Sequence, residues 1–276
     1  MRERRGGWSV AVRAVLDLED GRRVFPKLGD VPDTQRAIRE EIGVYEVLGP
    51  RPFLPRLLSA DLTVPVLVLE SLEDAVWPPP WSEASLRALD RLCDEIAATP
   101  GPVGLPTVTS WVARERGWRQ VADDPEPLVR TGLVSERWLA AHVPTLAAAA
   151  ASAPTEGTSL QHGDLRSDNL AVRGDRGIAV DWNGAMRGDA RWDRMCLVHT
   201  LQMEGVGTVD DLAPDADPAI IAWVAGFFAA RAGLPPPEGA PRVRPFQRAQ
   251  LKVVLPWTCR LLGLAPPEPG HPPGPY

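Results

Sequence analysis

Three consecutive prolines, Pro78–Pro80, place the strongest constraint on how this chain of 276 residues can fold. Proline lacks a backbone N–H and fixes φ, so neither a helix nor a central strand can run through the tract. Short apolar strands precede it and helical patterns follow it. The sequence therefore predicts an α+β chain with two lobes, and we assign its parts as a β-rich N-lobe over 1–71, a hinge over 72–81, a mostly helical C-lobe over 82–264 and a proline-rich tail over 265–276.

Composition excludes several classes of protein. The net charge of −6 disfavours binding to nucleic acid or to anionic membranes. The apolar run Ile220–Ala230 has eleven residues, whereas a membrane span needs roughly 18. The three cysteines (Cys93, Cys196 and Cys259) are scattered, which argues against a disulfide scaffold or a zinc site. We expect a cytoplasmic protein with no nucleic-acid or membrane partner, either a monomer or a homodimer.

The N-lobe begins with a predicted hairpin. Alternate residues share one face of its first strand: Val10, Val12, Ala14, Leu16 and Leu18. A turn at Glu19–Gly21 leads into a second strand over Arg22–Leu28. Apolar residues at helical spacing then predict a helix over 34–48 with Thr34 as its N-cap. Two further strands are predicted, near 57–60 and over 64–69.

The C-lobe is predicted to consist mainly of helices. Ser82 and Ser85 resemble a capping box at the start of a helix whose leucines recur on one face. Three more apolar or alanine-rich segments indicate helices over 135–153, 218–232 and 245–264.

One polar-ended hairpin interrupts these helices. Leu170–Val172 and Ile178–Val180 are short apolar strands joined by the turn Arg173–Gly177. Asp164 and Asn169 precede the hairpin and Asp181 follows it. Because a hairpin brings its outer ends together, the three oxygen-bearing side chains are expected to converge. Carboxylate and amide oxygens are ligands that Mg²⁺ prefers.

This arrangement suits phosphoryl transfer, which needs metal ions on the phosphates and a carboxylate that accepts a hydroxyl proton. The spacing His162-x-Asp164-x4-Asn169, followed by an aspartate after a strand, matches the catalytic-loop pattern of protein kinases. Each aspartate or asparagine alone could be a turn former, but the full spacing favours a catalytic set. We expect His162 to have a structural role rather than to act as a base, because the carboxylate of Asp164, two positions later, is the better candidate for the base.

Two rare residue types support the same interpretation. Only two of the 30 basic residues are lysine, and one of them, Lys27, ends a strand upstream, where it could pair with nucleotide phosphates. Glu41, or alternatively Glu40, on the next helix could hold that lysine. The two asparagines of the chain, Asn169 and Asn183, both fall near the hairpin.

The segments HGDLRSDNL and IAVDWNGAMRGDARWD resemble the aminoglycoside phosphotransferase family of kinase-like small-molecule kinases, which is related to the choline kinases. The upstream pieces VFPKL, REEIGVYEVL and LVLESLEDAVWPPPW fall in the matching order. The resemblance implies a bilobal protein-kinase-like fold with ATP or GTP as co-substrate in the cleft at the hinge.

The resemblance also implies roles for individual residues. Asp164 would be the catalytic base and Arg166 a phosphate-neutralising residue. Mg²⁺ would be held by Asn169 and Asp181. The nucleotide-binding set is expected to comprise Lys27, Glu41, Ser9, Glu70 and Leu72, with the last two meeting the base through backbone groups.

The sequence departs from the protein-kinase pattern in three places. Gly163 stands where protein kinases carry arginine, and no long activation segment separates Asp181 from Asp193. The segment around Gly7 and Ser9 predicts an abbreviated phosphate-covering loop. The chain also departs from the aminoglycoside kinases, which often end with an acidic tail over the substrate. Its own tail is proline-rich, so the family name is a poor guide to the acceptor.

We therefore expect a small-molecule O-phosphotransferase that acts on a hydroxyl of an aminoglycoside or another natural product, and a role in antibiotic resistance follows from that class. The acidic chain is compatible with a cationic acceptor. A neutral metabolite such as a sugar, nucleoside or amino alcohol is one alternative. A nucleotide-binding regulatory protein without transfer activity is the other.

Overall fold

The computed structural model describes residues 2–3, 12–238 and 240–270. Ser9, predicted to bind nucleotide, lies outside the described residues, as does Val10. The chain forms two compact units: Met1–Thr107 with Gly157–Asp193, and Val108–Glu156 with Arg194–Tyr276. The lobe boundary assigned to 72–81 lies within the first unit and stays a prediction.

The first unit is built on a five-stranded antiparallel sheet with the strand order β1-β2-β3-β5-β4. Its strands are β1 (Arg2–Glu3), β2 (Val12–Asp17), β3 (Arg23–Leu28), β4 (Leu57–Asp61) and β5 (Val66–Glu70). The predicted hairpin is therefore present as β2 and β3. In the sheet register, Arg13 lies opposite Lys27 and Phe25 lies opposite Leu69. Directly opposed residues share a face of the sheet.

Both faces of β2 are covered in the middle of the strand. Ala14 and Val15 point to opposite faces, and both are buried, whereas Val12 is exposed. The apolar alternation predicted from Val12, Ala14 and Leu16 identifies only one of these two faces. The other face carries Arg13 and Val15.

Helix α1 (Pro32–Leu48) follows β3 and buries Ile38, Ile42 and Tyr45. The prediction of Thr34 as its N-cap is wrong, because the helix begins two residues earlier at Pro32. The fixed φ of proline suits the first helical position, where its missing N–H costs nothing. The Thr34 hydroxyl instead accepts hydrogen bonds from the backbone N–H groups of Asp30 and Val31, each over 3.1 Å.

The rest of the first unit comprises one long helix, two two-stranded antiparallel sheets and the start of another helix. Helix α2 (Glu83–Ala98) begins with the predicted capping box, in which Ser82 and Ser85 each accept the other's backbone N–H. Strand β6 (Ser159–Gln161) pairs with β9 (Met186–Gly188), and β7 (Leu170–Arg173) pairs with β8 (Arg176–Ala179).

The second unit is helical. Its helices are α3 (Val108–Arg114), α4 (Trp118–Asp123), α5 (Glu126–Val129), α6 (Glu136–Ala151), α7 (Trp192–Met203), α8 (Val209–Leu212), α9 (Pro218–Ala229) and α10 (Val243–Leu261). The first two residues of α7 belong to the first unit. The three helices predicted here are present as α6, α9 and α10. Nearly all of α9 is buried, and the Trp118 indole N–H donates to the carbonyl of Ala222 over 2.8 Å. The sheet of the first unit and these helices confirm the α+β class.

Residues 265–270 form neither helix nor strand, although the Glu268 carbonyl accepts the Ser135 N–H over 2.8 Å. Across the described part of the chain, every helix is too short or too polar to cross a lipid bilayer.

Candidate active site

A cavity of about 460 Å³ lies in the first unit, against the sheet face that carries Lys27. It combines apolar walls with a group of polar side chains, as expected of a small-molecule site. Its apolar walls include Val15, Phe25, Leu69, Leu72 and Val180, and its polar lining includes Arg13, Lys27, Glu70, Ser71, Glu73, Asp168, Asn169 and Asp181.

Lys27 is buried between two carboxylates. Its Nζ lies 2.9 Å from each carboxylate oxygen of Glu41 and also contacts Oδ1 of Asp181. Glu41 is buried in α1, whereas Glu40 is exposed. The structure therefore brings Lys27 together with Glu41 rather than with Glu40.

The three charges perturb one another. Burial alone would lower the pKa of Lys27, but the charges of Glu41 and Asp181 raise it, so the ammonium stays protonated. Burial raises the pKa of Glu41 against the opposing charge of Lys27. Burial also acts to raise the pKa of Asp181, but contact with Lys27 outweighs it and the pKa is lowered. Asp181 is thus the carboxylate that holds its charge most firmly.

The ends of the β7–β8 hairpin bring Asn169 and Asp181 to the cavity. The Val180 N–H donates to the Asn169 carbonyl over 2.9 Å, which ties the incoming loop to the outgoing one. Asp181 has φ 64°, and it is the one non-glycine residue with positive φ in the described chain. Such backbone strain clusters at functional sites.

Asn169 and Asp181 fit a Mg²⁺ ion by their donor chemistry. The Asn169 Nδ2 donates to the Asp164 carbonyl over 2.9 Å, so its amide oxygen is the atom suited to ligation. Within the described ranges, no three His, Cys, Asp or Glu side chains form a group that could hold a metal ion unaided. Mg²⁺ commonly takes one or two protein ligands and completes its shell with water and substrate phosphates.

The loop that carries Asp164 is held by His162. The His162 ring is buried, and loss of hydration lowers its pKa to about 4, so the imidazole is neutral. Its Nε2 lies 2.8 Å from the Val180 carbonyl and its Nδ1 lies 3.3 Å from the Asp164 backbone nitrogen. These partners require the proton on Nε2 and leave Nδ1 as an acceptor. His162 positions the loop, in agreement with the structural role expected from the sequence.

Gly163, the next residue, has φ 82° and packs against backbone. A Cβ at this position would lie 2.3 Å from the Gly184 carbonyl oxygen. Both the conformation and the close approach require glycine.

Asp193, at the start of α7, also holds this loop. Its carboxylate is buried and accepts the backbone N–H groups of His162 and Gly163, over 2.6 Å and 2.9 Å. Burial raises the pKa of Asp193 to about 6 against the effect of these two bonds. Sequence reasoning missed this residue, although it stands in the quoted segment ending DARWD.

Asp164 contacts two residues of its own loop. The Asn169 Nδ2 lies 3.3 Å from Oδ2 of Asp164, and Nη2 of Arg166 lies 3.3 Å from the same oxygen. Arg166 also reaches Asp168, with Nε 3.1 Å from Oδ1. Although 54% of the Asp164 side chain is exposed, loss of hydration in this recess raises its pKa to about 6, with Arg166 opposing the rise.

The segment after β5 is fixed by Arg173 of β7. Its guanidinium donates to Glu70 over 3.1 Å, to the Ser71 carbonyl over 3.1 Å and to Asp74 over 2.8 Å. Glu70 and Leu72 both line the cavity. The Leu72 carbonyl accepts the Ala75 N–H over 3.1 Å, so a ligand contact at Leu72 is expected to use its amide.

Comparison with known proteins relates this site to phosphotransferases. No curated protein sequence matches the chain, but the model of the phosphotransferase enzyme family matches residues 1–246. A choline/ethanolamine kinase family protein from Mesorhizobium loti superposes with a TM-score of 0.60 at 14% identity, over 95% of this chain and 91% of that one.

Two phosphotransferases of antibiotics are also similar in structure. A thermostable mutant of aminoglycoside phosphotransferase APH(4)-Ia, in a ternary complex with ADP and hygromycin B, gives a TM-score of 0.57 at 14% identity over 94% of this chain and 92% of that one. Macrolide 2′-phosphotransferase MphH from Brachybacterium faecium gives 0.50 at 20% identity over 86% and 92%. These similarities confirm the expected kinase-like fold. Since the family model covers most of its length, the chain belongs to the phosphotransferase enzyme family and is a small-molecule kinase that transfers phosphate to an alcohol group.

Proposed function

We propose that the chain moves the terminal phosphate of ATP or GTP to a hydroxyl of an aminoglycoside-like molecule or of another natural product or metabolite. The observation that carries this proposal is the buried contact of Lys27 with both Glu41 and Asp181, at a cavity that Asn169 also lines. One cation, one metal-ligating carboxylate and one amide oxygen at a single cavity suit a bound triphosphate.

Asp164 is proposed to be the catalytic base. It accepts the proton of the acceptor hydroxyl while that oxygen bonds to the terminal phosphorus and the bond to the departing nucleoside diphosphate breaks. A pKa of about 6 leaves Asp164 ionised at neutral pH and still able to hold a proton. Arg166, which contacts Asp164, is proposed to neutralise charge on the transferring phosphate.

Lys27, kept in place by Glu41, is proposed to orient the nucleotide phosphates. When Mg²⁺ is bound by the oxygens of Asn169 and Asp181, it supplies positive charge that neutralises those phosphates. The purine is proposed to meet the backbone of Glu70 and Leu72 and the apolar walls of the cavity. Ser9 remains a predicted phosphate contact outside the described residues.

The acceptor is proposed by class only. Hygromycin B is bound in the aminoglycoside phosphotransferase complex, and the other two similar structures are named for macrolide and for choline or ethanolamine. What these molecules share is a hydroxyl on a small organic framework. The acidic chain, with a net charge of −6, is compatible with a cationic acceptor, which supports testing amine-bearing natural products first.

A transfer assay tests the proposal. Labelled ATP and GTP are incubated with the protein, Mg²⁺ and a panel of hydroxylated amines, macrolides, sugars and nucleosides, and phosphate uptake and nucleotide hydrolysis are measured. We expect Asp164→Asn to abolish turnover while nucleotide binding persists. Asp175→Asn, at the exposed turn of the same hairpin, serves as the matched control and is expected to leave turnover unchanged. Nucleotide binding without turnover across the panel would favour the regulatory alternative.

A further inference from the structure

Arg13 is a second cation that lines the cavity, and the proposed function assigns it no role. It lies on β2, directly opposite Lys27 of β3, so both side chains extend from the same face of the sheet. Its side chain is 13% exposed and lines the cavity. Among the described lining residues, Arg13 and Lys27 are the two cationic side chains.

Asp181 lies between these two cations. Lys27 contacts Oδ1 of Asp181, and Nη2 of Arg13 lies 4.0 Å from Oδ2. The second separation is longer than a hydrogen bond, so the pair is held by charge rather than by a fixed geometry. The flat guanidinium fork matches the oxygens of a phosphate group better than an ammonium does.

The charges around Lys27 indicate a role for Arg13. Without it, Lys27 would face two carboxylates, Glu41 and Asp181, and this group would carry a net negative charge beside the binding site for a polyanion. With Arg13, two cations balance two carboxylates. The other acidic lining residues contact arginines outside the cavity lining: Glu70 contacts Arg173, Glu73 contacts Arg23 and Asp168 contacts Arg166.

We propose that Arg13 is a second phosphate-binding residue, which contacts the phosphate chain of the nucleotide beside Lys27. This inference rests on the proposed function. A side chain on the sheet provides a phosphate donor that is held by the register of β2 against β3. If Arg13 acted only as a counterion to Asp181, its substitution would change nucleotide affinity by an amount that does not depend on the number of phosphates.

The test compares nucleotides that differ only in phosphate number. Dissociation constants of adenosine, AMP, ADP and ATP, and of the guanosine series, are measured by calorimetry with Mg²⁺ for wild type, Arg13→Gln and Arg13→Lys. For Arg13→Gln we expect ADP and ATP to bind about tenfold more weakly or worse and adenosine to bind within about twofold of wild type, because a lost charged hydrogen bond has this size.

Arg13→Lys keeps the charge and loses the fork, and a loss of a few-fold for ADP and ATP is expected. This variant decides the question if Arg13→Gln fails to fold. Arg22→Gln, an exposed arginine next to β3, is the matched control and should bind every nucleotide as wild type does.

Three outcomes overturn the inference. An equal loss for adenosine and ATP would make Arg13 structural. Unchanged binding of ATP in both variants would remove it from the phosphate site. A wild-type protein that binds and hydrolyses no nucleotide would overturn the proposed function itself. If instead the Arg13 variants transfer phosphate and bind ATP as wild type does, only the role of Arg13 is overturned.

Discussion

The carboxylate of Asp193 accepts the backbone N–H of His162 over 2.6 Å, although 31 positions separate the two residues. The same carboxylate accepts the Gly163 N–H over 2.9 Å. The loop that carries Asp164 is therefore anchored to the start of α7, and its shape depends on a residue that is not part of the cavity lining.

Asp193→Asn is expected to destabilise the protein by about 1–3 kcal/mol, because an amide offers one acceptor oxygen to two buried N–H donors. Urea unfolding of both proteins measures the difference. Asp210→Asn, which removes the charge from an exposed pair with Arg260, is the control, and a change below about 1 kcal/mol is expected there. Equal effects of the two substitutions would contradict the anchoring role of Asp193.

Glu41→Gln and Glu40→Gln separate the two glutamates that the sequence left open. Without the Glu41 charge, Asp181 is the one carboxylate left to hold Lys27, so the ammonium is less well oriented toward the phosphates. We therefore expect kcat/KM to fall about 100-fold, a loss near 2.7 kcal/mol in transition-state stabilisation. Glu40 is exposed, so its substitution should leave kcat/KM within about twofold of wild type. Steady-state kinetics of the transfer reaction provides the measurement, and a comparable loss for Glu40→Gln would refute the assignment.

Activity is expected to fall as pH drops through about 6. A general base must be deprotonated in the free enzyme, and the pKa of Asp164 is raised to about 6. The acidic limb of kcat/KM should therefore have an apparent pKa well above the ordinary value for aspartate. Asp193 titrates in the same range, with a pKa of about 6. The limb should persist in Asp193→Asn, and its disappearance there would assign it to Asp193 instead.

Arg173→Leu is expected to loosen the segment 70–74. The substitution removes three hydrogen bonds, to Glu70, Ser71 and Asp74. Hydrogen exchange followed by mass spectrometry should show faster exchange over 70–76 and no change in α9. Arg176→Leu, at the residue paired with Arg173 across the hairpin, is exposed and should leave exchange as in wild type. Unchanged exchange in Arg173→Leu would mean that the segment holds its shape without this arginine.

Gly163→Ala and Gly205→Ala test close packing separately from backbone strain. Both glycines have positive φ, 82° and 79°. A Cβ at Gly205 meets no atom within 4 Å, so only strain of about 1 kcal/mol is expected there. At Gly163 the Cβ meets backbone, and we expect a loss of unfolding free energy above about 3 kcal/mol. Thermal or urea unfolding compares the two, and similar losses would show that Gly163 is not tightly packed.

Local sequence patterns predict those parts of the site whose residues lie close together along the chain. The β7–β8 hairpin is set by two short apolar runs and a glycine turn, and it brings Asn169 and Asp181 to one cavity. Lys27 and Glu41 lie 14 positions apart on neighbouring elements. Helix α2 was predicted together with its cap because Ser82 and Ser85 lie within one turn.

Other features depend on contacts between distant parts of the chain. Asp193 reaches His162 where β6 pairs with β9, and three-residue strands carry little periodicity. The position of Arg13 beside Lys27 follows from the register of β2 against β3. The apolar alternation on the opposite face of β2 does not reveal this register. Helices α5 and α8 have four residues each, too few for a helical repeat. Thr34 was misassigned because Pro32 already starts the helix.

The packing of Gly163 against Gly184 also limits how this enzyme can evolve. Protein kinases place an arginine at the position of Gly163. An arginine can pair with the phosphate of a phosphorylated segment, which orders that segment and activates the enzyme. Here no side chain fits, because the Gly184 carbonyl oxygen occupies the space. Acquisition of such a covalent switch would require the backbone around residue 184 to be rebuilt first, so a single codon change cannot open that route.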